Sequence, residues 1–386
     1  MSRNSRSNTP IYALLALVLV QFVALAALLA AHDGQKTEEP TPPAAQEAQE
    51  AALSAEEENI PAWLEPAEET VTEKEPPEDA LSAPDILADA SLIAHGMGAV
   101  AAPEDGAADS AAASGDPDGG ASGDETADAL TDANGRELVT VLNCLEGFQA
   151  QYAAGVRVFE ADLRLTSDME VVLRHDWRAG WQEGVSETSI PTLEEFLETP
   201  VLGEYPPLSF QDLLLLMEEY PDVCIITDTK FTEAEVVTAQ FTAMLSDAKE
   251  LGLTYLFDRF VIQVYDELMF KVVDGLHHFP HYIYTLYATG FAGTEGAFRA
   301  AASFCADNGF LGLTLWDYWW REAYAPIARE LGVAVYVHTV NDAQEARELL
   351  DQGVSGIYTD TLTPADLTAE ASTSGGETPE RTEEGA

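Results

Sequence analysis

Residues 156–176 read VRVFEADLRLTSDMEVVLRHD and place Glu160 and Asp162 two apart at the end of an apolar run, with His175 at the end of the next. Alternate side chains of an extended strand share a face, so Val156, Val158, Glu160 and Asp162 project together and the two carboxylates emerge side by side where the strand stops. That is the outline of a metal site. In ITDTK the same parity puts Ile226, Asp228 and Lys230 on one face and brings an acid and a base to one place. Glu160, Asp162 and Asp228 together make an all-oxygen set suited to a hard divalent cation, Ca2+ or Mg2+, rather than Zn2+. With Lys230 to offset negative charge, such a set suits a phosphate-bearing ligand, because a metal polarises phosphoryl oxygens and stabilises charge in the transition state. His95 and His175 are the candidate proton-transfer pair: imidazole titrates near neutral pH, and phosphodiester hydrolysis needs one group to take a proton and another to give one. His277, His278 and His281 fall at a predicted helix end and the turn after it and read as structural, while the parity of His338 is ambiguous.

The elements that must position these residues alternate along the chain. Short β-branched or apolar runs at 91–96, 156–163, 223–230, 259–266, 281–288, 310–317, 333–340 and 356–362 are separated by longer amphipathic stretches such as CLEGFQAQYAAG and FTEAEVVTAQFTAMLSDAKEL. Several of the amphipathic stretches end in the glycine expected just past a helix. Eight such pairs predict an α/β fold, a (β/α)8 TIM barrel, in which functional groups gather at the C-terminal ends of the strands. His95, Glu160, Asp162, Asp228, Lys230, Gln263, Tyr265, Trp316 and His338 all lie at or near those ends. EVVLRHDW at 170–177 reads as a further extended piece, paired with its predecessor across Ser167 and Asp168.

Composition bounds the rest of the 386 residues. A net charge of -50 with only 18 Lys and Arg argues against a nucleic-acid partner, since phosphate backbones are held by clustered basic residues. Residues 11–31, IYALLALVLVQFVALAALLAA, are uncharged, apolar and long enough to cross a bilayer, and Arg3 and Arg6 before them predict a short cytoplasmic segment at 1–10. The expectation is a single-pass signal anchor in the cell membrane with the barrel extracytoplasmic, or a secreted barrel if the segment is cleaved at its small residues. Residues 32–90 are rich in Ala, Glu and Pro and are expected to form a disordered acidic stalk. The barrel is assigned to 91–366, with a Gly-, Ala- and Asp-rich disordered insertion at 101–137, and 367–386 are expected to be a disordered acidic tail. Cys144, Cys224 and Cys305 are too few for a disulfide framework and read as small buried hydrophobes.

IAHGMG at 93–98, LNCLEGF at 142–148, VFEADLRLTSDMEVVLRHDW at 158–177, IITDTK at 225–230, VHTVND at 337–342 and GVSGIYTD at 353–360 resemble, in order, the successive motifs of the glycerophosphodiester phosphodiesterase family. The resemblance implies a TIM barrel, with His95 and His175 as general acid and base and Glu160, Asp162 and Asp228 as metal ligands. It also implies Lys230 and Asn143 as polar lining around the phosphate; Gln263 and Trp316, from their places at strand ends, are further candidate substrate-binding residues. In that family a neighbouring hydroxyl of the substrate is thought to attack phosphorus, giving a cyclic phosphate that water opens. The chain departs from the pattern in several places. Gly96, Met97 and Gly98 stand where the family has an arginine after the histidine, and Arg174 is the candidate replacement for the phosphate contact. Asp228 stands where glutamate is common, and Leu142, Asn143 and Cys144 replace a longer turn. The implied partner is a small-molecule phosphodiester or lipid-derived substrate. The alternatives are a phospholipase-like activity on intact lipids, for which Tyr318, Trp319 and Trp320 would supply an apolar surface, and a catalytically silent binding module in the envelope.

Overall fold

A computed structural model describes residues 71–103, 130–132, 134–178 and 180–368. The described strands, in chain order, are β1 (Leu92–Ala94), β2 (Val100–Ala101), β3 (Leu138–Val139), β4 (Val158–Leu165), β5 (Val171–Leu173), β6 (Cys224–Asp228), β7 (Phe260–Val264), β8 (Tyr282–Thr285), β9 (Gly312–Trp316), β10 (Ala334–His338) and β11 (Gly356–Thr359). Strands β1, β4 and β6 to β11 pair in parallel, each with its neighbour, and β1 pairs with both β11 and β4, so the sheet closes on itself. This is the eight-stranded parallel barrel that the alternating pattern predicts. Strand β5 runs antiparallel to the end of β4, as expected for 170–177.

The barrel is built by parity. Ile93, Val158, Ile226, Val261, Ile283, Tyr336 and Tyr358 form one buried cluster inside the lower half of the barrel. Two residues further along the same strands stand His95, Glu160, Asp228, Gln263, Thr285, His338 and Asp360, all buried. A side-chain period of two therefore carries each strand from an apolar floor to a polar top. Register completes the placement, because Asp162 lies opposite Asp228 and Glu160 opposite Ile226. Helices cover the outside through a second, larger cluster that includes Phe148, Phe159, Leu213, Phe241, Phe260 and Val337. The helix Ala234–Leu251 stops at Gly252, whose left-handed φ of 66° suits a residue without a side chain. Cys144, Cys224 and Cys305 are free and buried.

Two boundaries differ from the expectation. Residues 71–90 do not continue the stalk: Lys74 N–H donates to Gly252 O, and the helix Ala83–Ala88 buries Ala83 and Ile86 against the barrel floor. Their composition is acidic, but two apolar residues one turn apart suffice to close the open bottom of the barrel. The proposed insertion narrows in the same way, since β2 and β3 pair as an antiparallel ribbon at its base. Residues 104–129, the N-terminal span 11–31 and the tail from 369 lie outside the described residues. Among the described residues no helix is long and apolar enough to cross a membrane.

One buried acid away from the strand ends makes the stability of this fold pH-dependent. Asp247, 7% exposed on the helix Ala234–Leu251, accepts a 2.7 Å hydrogen bond from Gln211 Nε2. Burial first, with Glu170 and Glu250 nearby, pushes its carboxyl up to about 7 from an ordinary 3.8. A raised folded-state value means the native protein holds the proton more tightly than the unfolded chain. This contribution to stability is therefore complete below pH 4 and is lost as pH rises to about 7. Asp247→Asn keeps an acceptor for Gln211 and removes the titration. The variant should match wild type in denaturant melts at pH 4 and exceed it by about 2–4 kcal/mol at pH 8.

Candidate metal and phosphodiester site

The polar tops of β1, β4, β6, β7, β9, β10 and β11 converge on a small cleft lined by His95, Glu160, Asp228, Lys230, Gln263, Tyr287, Trp316, His338 and Tyr358. One carboxylate oxygen each from Glu160, Asp162 and Asp228 lies within 4.8 Å of the others, spacing that admits a single cation among them. All three are buried, at 2%, 0% and 5% exposure. Glu160 Oε2 accepts the Gly96 N–H at 2.6 Å, while Glu160 Oε1 and Asp228 Oδ1 are buried with no donor among the described residues. Asp162 is clamped by Asn143, whose Nδ2 donates to Asp162 Oδ2 at 2.7 Å and whose Oδ1 accepts the Asp162 N–H at 2.9 Å.

Lys230, held at φ 61°, reaches across the set, with Nζ 2.6 Å from Asp228 Oδ2 and 3.1 Å from Asp162 Oδ1. Burial alone would lower its ammonium, but Asp228 and Asp162 outweigh that and hold it well above the ordinary lysine range. Glu160 moves the other way, because burial and then the adjacent Asp162 raise its carboxyl well above normal. Asp162 is held low: burial would raise it, and Lys230, His175 and His95 prevail. One lysine thus leaves one of the buried acids reluctant to ionise. Unpaired oxygens facing one another in a buried site are what a hard cation would coordinate, so the donor set fits a divalent ion.

His95 follows β1 and shares a 2.9 Å hydrogen bond between its Nδ1 and Asp360 Oδ1. Asp360 is fixed from behind by Asn341, whose Nδ2 donates to Asp360 Oδ2 at 2.6 Å and whose Oδ1 accepts the Asp360 N–H at 2.8 Å. Burial would depress the His95 imidazole, but the Asp360 carboxylate, helped by Glu160 and Asp162, pushes it up to about 10. His175, at the end of β5, shares a 3.0 Å contact between Nδ1 and Asp176 Oδ2, and its carbonyl accepts from Arg164 Nε at 2.8 Å.

The structure brings His95, Glu160, Asp162, Asp228 and Lys230 together and puts Gln263 and Trp316 in the cavity wall. Asn143 lies behind Asp162 as its clamp and is not part of the wall. Arg174 is not brought to the site. Its guanidinium lies 4.6 Å from the Trp181 ring, and its Nε donates to Asp176 O at 2.6 Å; neither Arg174 nor His175 is among the residues that line the cleft. Gly96 leaves no room for an arginine at its own position either: its φ is 51°, and a Cβ there would stand 2.4 Å from Val141 Cα. Of the three aromatic residues after β9, only Tyr318 is well exposed, at 45%; Trp320 is buried and donates to Gln352. Sequence reasoning missed Asp360, Tyr287 and Tyr358, although Tyr358 and Asp360 follow the same alternation within GIYTD.

No protein-family profile matches the sequence. A candidate glycerophosphodiester phosphodiesterase from Galdieria sulphuraria superposes with a TM-score of 0.50 at 14% identity, over 72% of this chain and 96% of that one. The chain has that enzyme's barrel fold. A phosphodiesterase from Oleispira antarctica, in complex with the product sn-glycerol-3-phosphate, matches at TM-score 0.49 and 15% identity, over 57% of this chain and 88% of that one. A candidate glycerophosphoryl diester phosphodiesterase from Silicibacter pomeroyi matches at 0.47 and 21% identity, over 57% and 85%. These structural neighbours are phosphoric diester hydrolases of the glycerophosphodiester class.

A cation held by the three carboxylates should be visible without any substrate. Titrating Ca2+ or Mg2+ into the protein should raise its Tm, and Glu160→Gln, which keeps an acceptor for Gly96 N–H, should weaken the apparent affinity by at least about 10-fold. Calorimetric titration checks both.

Proposed function

We propose that the protein is a metal-dependent phosphodiesterase that hydrolyses glycerophosphodiesters, or related headgroup diesters, to an alcohol and a phosphomonoester. The observation that carries the reading is the convergence of three buried carboxylates, a buried lysine and two carboxylate-paired histidines on one end of a barrel. Glu160, Asp162 and Asp228 would hold the cation, Ca2+ or Mg2+. When bound it supplies Lewis-acid polarisation of the phosphoryl oxygens and neutralises charge. Lys230 adds a fixed positive charge beside the phosphate, and Asn143 keeps Asp162 oriented.

His95, kept charged at neutral pH by Asp360, is the acid that protonates the leaving alcohol oxygen. His175 is the base that takes the proton from the attacking hydroxyl as the new P–O bond forms and the old one breaks. Where the attacker is a neighbouring hydroxyl of the substrate, the product is a cyclic phosphate, and water opens it with the two roles exchanged. We also propose that the uncharged span at 11–31 tethers this barrel to the outer side of the cell membrane. The support is the span's length and its preceding arginines.

Incubating the full chain with glycerophosphocholine and bis(p-nitrophenyl) phosphate, with Ca2+, Mg2+ or chelator, tests bond class and metal dependence together. His95→Ala and His175→Ala should each lose at least about 100-fold in kcat. Robust turnover by both variants, or turnover unaffected by chelator, overturns the reading.

A further inference from the structure

Lys230 is held in place by a residue that does not line the cleft. Its backbone sits at φ 61°, two residues past the end of β6, in the left-handed region that residues with a side chain seldom adopt. Such a conformation persists only where the surroundings hold it. At the backbone the hold is one hydrogen bond: the Lys230 N–H donates to Tyr265 Oη at 3.0 Å. Tyr265 follows β7, which pairs in parallel with β6, so the phenol reaches across from the neighbouring strand top. It is 3% exposed, belongs to the larger outer cluster, stands 5.8 Å from the Tyr287 ring and is not among the residues that line the cleft. Packing therefore fixes the phenol independently of what the cleft contains.

Fixing the backbone also fixes where the lysine points. Its Nζ lies 2.6 Å from Asp228 Oδ2 and 3.1 Å from Asp162 Oδ1. The ammonium thus engages two of the three carboxylates whose oxygens cluster closely enough to hold a cation. Positive charges drawn to one set of acids repel each other, so a lysine held firmly here weakens the hold on a divalent cation and keeps a charge ready for an anion.

We infer that Tyr265 is a positioning residue whose hydroxyl latches the Lys230 backbone in its left-handed conformation and so sets the balance between cation and anion binding in the cleft. The inference rests on the reading of Glu160, Asp162 and Asp228 as cation ligands. A phenylalanine ring at 265 would fill the same space and leave the Lys230 N–H without this acceptor. Released, the ammonium leaves the carboxylates, which then bind a divalent cation more tightly, while the loaded site binds phosphate less tightly. A packing defect would weaken both.

The test uses the full chain and Tyr265→Phe, which removes one oxygen and keeps the ring. Calorimetry with Ca2+ alone should show the affinity rising about threefold or more, and inorganic phosphate on the Ca2+-loaded protein should show it falling by a similar factor. Tyr265 Oη also lies 3.5 Å from Gln263 Nε2, so the Ca2+ titration is repeated in a Lys230→Met background. There Tyr265→Phe should change the affinity less than about 1.5-fold, because the residue through which it acts is gone. A third readout needs no ion. Acetylation of Lys230, followed by mass spectrometry against the exposed Lys271 in the same sample, should be slow in wild type and at least about fivefold faster in Tyr265→Phe. An unchanged acetylation rate, Ca2+ and phosphate affinities that fall together, or an equal effect of Tyr265→Phe in the Lys230→Met background overturns the latch. A wild type that binds no Ca2+ overturns the cation reading, and acetylation then decides the latch by itself. Opposite shifts in a protein that cleaves no diester overturn the hydrolase reading and leave the latch standing.

Discussion

Three carboxylates crowded inside a barrel impose the constraint from which the rest of this structure follows. Burial first, and then the adjacent Asp162, raises Glu160, while Lys230, with His175 and His95, holds Asp162 low against its own burial. The arrangement is tolerable because every other interaction in the site restrains it. Asn143 fixes both the backbone and the carboxylate of Asp162, the Gly96 N–H holds Glu160, and Lys230 spans Asp162 and Asp228. The site holds more carboxylate charge than Lys230 offsets, and its donor set is one that a further cation would fit.

That advance setting comes from the strand period. The residues that stabilise the barrel and those that equip it are separated by a single alternation: Ile93 from His95, Val158 from Glu160, Ile226 from Asp228, Tyr336 from His338, Tyr358 from Asp360. Parallel register then decides which tops meet, as with Asp162 opposite Asp228. The floor is sealed by Ala83 and Ile86, so the polar end of the barrel can be given over to groups that contribute charge rather than packing.

The same logic explains what was legible in the chain. Strands and carboxylates could be read because parity is a local property: Glu160 and Asp162, or Asp228 and Lys230, reveal their common face within a few residues. Asp360 could not be tied to His95, since the partners are 265 residues apart and meet only when the last strand closes on the first. Tyr287 continues the alternation of Ile283 and Thr285 past the end of β8 and was within reach of the same parity. Arg174 shows the limit from the other side, because its guanidinium packs on Trp181, a partner beyond the strand that no alternation within it reveals. Composition misjudged 71–90, where two well-placed apolar residues in an acidic stretch were enough to dock a helix.

The glycine at position 96 carries this argument into the chemistry. With a left-handed φ and Val141 Cα directly beside it, the position has no space for a side chain, and the loop offers a backbone N–H to Glu160 in place of a long cationic arm. The fixed positive charge lining the cavity is then limited to Lys230, already engaged by two carboxylates, and to His95, sustained by Asp360. An anion entering this site would be met by less protein charge than an arginine would provide, so its binding would depend more heavily on a cation held by the carboxylates and on contacts to the uncharged part of the ligand. The rings of Trp316, His338, Tyr287 and Tyr358 in the cleft wall are where those contacts would be available.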